Sequence, residues 1–139
     1  MAALIIDSSV VLAAILPAEA EETAELAMEI VARRGAWIPA HWPLEIANAL
    51  LVAEIRKRIT SPARRGYLQD LTMLPVQLDS ETWQMAWGAT SNLAERHGLT
   101  LYDAAYLELA ARKRLPLATL DGRLQAAARK EDVATFGIS

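Results

Sequence analysis

Leu4-Ile5-Ile6-Asp7-Ser8-Ser9 is the stretch on which the reading of this chain turns. A short, β-branched apolar run stopped by an acid has the look of a buried parallel strand. The serine pair after it starts a helix that runs through Leu16 and is ended by Pro17. The same strand-then-helix order recurs downstream. From Glu19 to Arg34 apolar residues recur at Leu26, Ile30 and Val31, and Gly35 follows two arginines as a C-terminal stop. Ala36-Trp37-Ile38 makes a second brief strand. Pro43 then opens a long helix whose Ile46, Ala49, Leu50 and Ala53 fall at i, i+3, i+4 and i+7, with Arg56-Lys57-Arg58 complementing its C-terminal dipole.

The alternation continues to the end of the chain. Ser61-Pro62 reads as an N-cap and first-turn proline launching a helix towards Leu74, and Val76-Gln77-Leu78 as a third strand. One helix is expected from Thr82 to His97, closed by Gly98, with Trp83 and Trp87 at i, i+4 as a buried aromatic pair. Another is expected from Tyr102 to Arg114. Leu115 to Thr119 returns to strand, Asp121-Gly122 turns, Leu124 to Lys130 is a short helix and Val133 to Phe136 closes the chain. Such alternation specifies an α/β domain with a central, mostly parallel sheet of four or five strands flanked by helices. No internal repeat or linker divides residues 1–139, so a single domain is expected.

Composition narrows the possible chemistry. Of the 139 residues 53% are hydrophobic and none is cysteine, which removes disulfide scaffolds, thiolate metal sites and cysteine nucleophiles. Acids outnumber bases 17 to 14, so any contact with nucleic acid must be local. The opening twenty residues imitate a secretory leader, ending in Ala18-Glu19-Ala20, but no Lys or Arg precedes the apolar stretch and Asp7 interrupts it. No apolar run approaches the roughly 18 residues of a membrane span, so no membrane contact is expected, and the absence of cysteine suits a reducing, cytoplasmic home.

In open α/β sheets ligands bind beyond the carboxyl ends of the strands. Four acids from four segments stand at such places: Asp7 after the first strand, Glu45 and Asp103 in the first turns of their helices, and Asp121 after the strand containing Thr119. Each also has a local explanation. Asp7 suits an N-cap, Thr100-Leu-Tyr-Asp103 matches a capping box, Glu45 suits a helix N-terminus and Asp121 before Gly122 suits a turn. Together, however, they would crowd negative charge into one crevice, and like charges about 4 Å apart repel by roughly 4 kcal/mol at an effective dielectric of about 20. Such a cluster needs a cation or raised pKa values. With hard oxygen donors and only His41 and His97 for imidazole, Mg²⁺ or Mn²⁺ suits it better than zinc. Both histidines read as ordinary structural residues.

Four segments resemble, in order, the motifs of PIN-domain nucleases: Leu4 to Ser9; Pro43-Leu44-Glu45-Ile46-Ala47-Asn48-Ala49-Leu50; Leu101-Tyr102-Asp103-Ala104-Ala105-Tyr106; and Pro116-Leu117-Ala118-Thr119-Leu120-Asp121. The likeness extends to the VapC toxins of bacterial type II toxin–antitoxin systems. The resemblance implies a three-layer PIN-like fold and a Mg²⁺-dependent endoribonuclease, with Mn²⁺ as a substitute ion. It implies an acidic site of Asp7, Glu45, Asp103 and Asp121, with Asp7 and Asp103 the foremost metal ligands. Ser9 and Thr119 match small hydroxyl positions that orient a carboxylate or a water. Asn48, one turn beyond Glu45, is a further supporting residue. Arg112, Arg123 and Arg33 are candidate phosphate contacts.

A VapC-like protein implies an RNA substrate, a homodimer and a heteromeric complex with a VapB-type antitoxin. Two alternatives within the resemblance are a PIN nuclease of RNA processing and a non-catalytic PIN-like binding subunit. A phosphotransfer domain of the haloacid-dehalogenase or receiver type also places an aspartate after its first strand. The former wants a second aspartate where Ser9 stands, and both need a late lysine near a strand end.

Overall fold

The computed structural model describes residues 2–17 and 21–136. Ala18-Glu19-Ala20, with the first residues of the helix expected from Glu19, lies outside the described residues.

Among the described residues, four strands form one parallel sheet in the order β3-β2-β1-β4. They are β1 (Leu4–Ile6), β2 (Ala36–Ile38), β3 (Val76–Leu78) and β4 (Leu117–Ala118). β1 lies between partners, Leu4 opposite Ala36 and Ile5 opposite both Trp37 and Leu117, so all three of its side chains are buried. The expected closing strand reduces to one parallel bridge between Leu117 and Thr135.

Among helices α1 (Ser8–Ile15), α2 (Glu22–Arg34), α3 (Trp42–Ile55) and α4 (Ser61–Leu71), α1 packs on both α2 and α3, and α4 packs on α3. A second group comprises α5 (Thr82–Met85), α6 (Ser91–His97), α7 (Leu101–Lys113) and α8 (Gly122–Lys130), with α7 lying against β1 and β4. The result is the three-layer arrangement expected of the sequence. Val10 and Val11 of α1, Ile46 and Leu50 of α3, Leu107 and Leu109 of α7 and Leu124 of α8 join the strands in one core.

Helix ends follow local chemistry. Thr60, rather than the expected Ser61, caps α4, its Oγ1 accepting from Ala63 N–H at 3.2 Å. The α2 helix ends at Gly35 with φ +81°, where a Cβ would stand 2.7 Å from the Pro75 carbonyl oxygen. Only glycine avoids both the left-handed backbone cost and that collision.

The helix expected from Thr82 to His97 departs from expectation in its middle. Ala86–Thr90 forms a π-helical turn between α5 and α6, and the Ser91 hydroxyl donates to the Ala86 carbonyl at 2.6 Å. Trp83 and Trp87 are not core: they are 72% and 96% exposed. An i, i+4 spacing puts two residues on one side of a helix without saying which side meets the protein. Here the segment packs on α7 through another side. Among the described residues no helix is long and apolar enough to cross a membrane.

Candidate active site

Parallel strands end at one edge, and helices that follow them start there, so the side chains at those junctions gather. Asp7 is the residue after β1 and the N-cap of α1, and its Oδ1 accepts from Val10 N–H at 3.2 Å and from the Ser9 hydroxyl at 2.6 Å. Thr119, just past β4, donates its hydroxyl to Asp7 Oδ2. The same Thr119 oxygen accepts from Asp121 N–H at 3.1 Å, and Ser9 Oγ accepts from Leu120 N–H at 3.0 Å. Asp121 caps α8, its Oδ1 accepting from Arg123 N–H at 2.9 Å and Leu124 N–H at 3.4 Å. The capping expected of Asp7 is therefore present, and Asp121 is a helix cap rather than a simple turn residue. In both the carboxylate keeps oxygen lone pairs for another partner.

The other two acids come from helices. Asp103 sits in the first turn of α7, its N–H held by Thr100 Oγ1 at 3.1 Å. Glu45 sits in the first turns of α3, where the buried Tyr106 hydroxyl donates to its Oε1. Burial raises the Asp7 pKa to about 6, against the lowering effect of its hydrogen bonds, and the Asp103 charge adds to the rise. Asp103 is raised first by burial and then by the charges of Asp121 and Glu45. The four acids thus share one electrostatic environment, and the predicted repulsion is visible in two of them.

Among the described residues no three acid or imidazole groups are close enough to chelate a metal ion as they stand. The donor chemistry nevertheless fits a hard divalent cation: oxygen ligands only, on four segments, with mutual repulsion that a cation would relieve. Ser9 and Thr119 hold the Asp7 carboxylate, the kind of outer support that orients a ligand. Asn48 is exposed on α3 and has no hydrogen bond to these groups among the described residues.

Two further residues belong here. Tyr106, three positions after Asp103, is the buried donor to Glu45, and burial with the Glu45 hydrogen bond and charge holds its phenol protonated far above the usual range. Its spacing from Asp103 was the available signal. His41, expected to be ordinary, lies at the site's rim, its Nε2 3.5 Å from Glu45 Oε1 and 3.0 Å from the Tyr102 carbonyl oxygen. His97 is structural as expected, its Nε2 bonded to Glu131 at 2.6 Å.

The basic candidates divide. Arg123 is exposed in the first turn of α8, beside Asp121. Arg33 lies at the end of α2, just before β2 begins, at the opposite edge of the sheet. Arg112 is not free for phosphate. It bonds Asp79 at 2.7 and 3.0 Å and Glu108 at 2.8 and 2.9 Å, both acids being buried.

The family model of the PIN domain matches residues 4–130. Solved structures similar to this chain include PAE2754 from Pyrobaculum aerophilum, 24% identical with a TM-score of 0.68 over 91% of this chain and 84% of that one. FitAcB from Neisseria gonorrhoeae is 16% identical with a TM-score of 0.66 over 96% of each chain. At these identities the structures speak for the fold alone. No curated protein matches the chain. PIN domains are typically nucleases and usually use divalent metal ions. With the parallel sheet, the acids at its carboxyl edge and a match over nearly its whole length, the chain belongs to the PIN domain family.

Proposed function

We propose that this protein is a Mg²⁺-dependent endoribonuclease of the VapC type, the toxin of a type II toxin–antitoxin pair, acting as a homodimer and silenced by a VapB-type antitoxin. The observation that supports the catalytic part is the placement of four carboxylates from four segments at strand ends and helix starts, with Asp103 near enough to feel the charges of Asp121 and Glu45 and to act on Asp7. Asp7, Asp103, Asp121 and Glu45 are the residues that would hold the ion. When bound, Mg²⁺ supplies Lewis acidity to a water and to the phosphate oxygens.

The chain's own groups do the rest. Ser9 and Thr119 fix the Asp7 carboxylate, and Tyr106 fixes Glu45, so two ligands are oriented before substrate arrives. The phenol of Tyr106, held protonated, is a donor and not a base. A carboxylate of the cluster accepts the proton of the attacking water, which adds to phosphorus as the phosphodiester's leaving oxygen departs. Arg123 meets the RNA backbone from the rim.

Induced expression of the wild type beside Asp7→Asn, with cellular RNA scored for new ends, tests both parts at once. Growth arrest and new ends confined to the wild type are expected. New ends without arrest would point to a processing nuclease, and neither, with folded protein present, to a binding subunit.

A further inference from the structure

Between α5, the π-helical turn and the first turn of α7 lies a cavity of about 390 Å³ lined by His41, Trp83, Thr90 and Tyr102 among others. It adjoins the acidic crevice. His41 belongs to both, and Tyr102 precedes Asp103 in the chain.

Two independent observations point to a ligand. Thr90 is 3% exposed and its hydroxyl has no hydrogen-bond partner among the described residues. Leaving a buried hydroxyl unpaired costs about 1–3 kcal/mol, so such a group in a lining calls for a partner. Trp83, on the opposite character, offers a large apolar ring to water, and the lining segment contains a π-helical turn, a feature frequent at functional sites. Aromatic walls beside one buried hydroxyl that lacks a partner, the neighbouring Thr82 and His41 being already hydrogen-bonded, suit a flat ligand that is apolar on its faces and polar at its edge.

Resting on the ribonuclease reading above, we propose that this cavity seats one unpaired nucleobase of the RNA, adjacent to the phosphate held at the acidic crevice. The base stacks on Trp83 and Tyr102, and the Thr90 hydroxyl exchanges a hydrogen bond with its edge. A strand threading the crevice brings its next base to this cavity by continuity alone. A protein partner on this side would instead cover Trp83 and Trp87 together, and Trp87 is no part of the lining.

The test is binding of short labelled single-stranded oligoribonucleotides to the full chain with Ca²⁺ in place of Mg²⁺, read by anisotropy, with hydrolysis in Mg²⁺ measured separately. Trp83→Ala is expected to weaken binding about tenfold to a hundredfold, the range for loss of one base–aromatic stack. Trp87→Ala should bind as the wild type does. An oligonucleotide with one abasic position should bind wild type and Trp83→Ala alike at the register where the base is missing. Thr90→Val should narrow the differences in affinity among homopolymers. Wild-type affinity in Trp83→Ala overturns the proposal. So does a loss of dimer in both tryptophan variants by sedimentation with RNA affinity unchanged, which would make this side a protein interface. Trp83-dependent binding without hydrolysis by the wild type would overturn the ribonuclease reading and leave the base site standing.

Discussion

The Thr119 hydroxyl donates to Asp7 across 112 positions of sequence, and the same oxygen receives the backbone N–H of Asp121. One threonine therefore ties the end of β1 to the end of β4 and sets two of the four acids in relation to each other. Thr119→Val keeps the shape and removes that tie. It leaves Asp7 short of one donor, and a stability loss of about 1–2 kcal/mol is expected, with RNA hydrolysis falling at least tenfold. Chemical denaturation and initial rates would check the two effects separately.

Asp7 carries a cost in the metal-free protein. Its folded pKa of about 6 lies above the ordinary 3.8, so the folded state is favoured by protonation: that contribution is full below pH 4 and is lost as pH rises through 6. Asp7→Asn is expected to be more stable than the wild type at pH 7.5 in EDTA by up to about 3 kcal/mol, read by chemical denaturation, and to match it near pH 3.5. Adding Mg²⁺ should raise the wild-type melting temperature and not the variant's. RNA hydrolysis should fall by about two orders of magnitude or more.

Arg112 behaves oppositely to a nucleic-acid contact. Burial opposes the ionisation of Asp79, but the Arg112 and Thr82 hydrogen bonds and the Arg112 charge outweigh it and hold the carboxyl below its ordinary value. Asp79 thus stabilises the fold above about pH 4, and this is lost as pH falls through its lowered pKa. Arg112→Ala strands Asp79 and Glu108 in a buried position and is expected to cost about 3–5 kcal/mol at pH 7, less in acid. Urea melts across pH would show it. Weakened RNA binding with unchanged stability would restore Arg112 as a phosphate contact.

Tyr106→Phe removes the donor to Glu45 without opening a cavity. Stability should fall by only about 1 kcal/mol, because Glu45 reaches water. The turnover number should fall several-fold and KM little, as for a group that positions a ligand without touching RNA.

Gly35→Ala meets both the left-handed backbone and the Pro75 carbonyl oxygen. A loss of about 1–3 kcal/mol, seen as a lower unfolding midpoint with unchanged RNA hydrolysis per folded molecule, is expected.

The sequence by itself determined the alternation of strand and helix, the parallel sheet and the placement of Asp7, Glu45, Asp103 and Asp121 at strand ends and helix starts. These are legible because apolar runs, caps and breakers act within a few residues. Tertiary structure alone decided which partner each side chain meets. Nothing local says that Tyr106 reaches Glu45, that Arg112 is consumed by Asp79 and Glu108, or that His41 stands at the rim of the acids. Trp83 and Trp87 show the limit most plainly: their spacing places them on one side of a helix, but α7 packs against another. Periodicity specifies a direction around a helix axis, and only the neighbours that bury surface specify which direction faces inward.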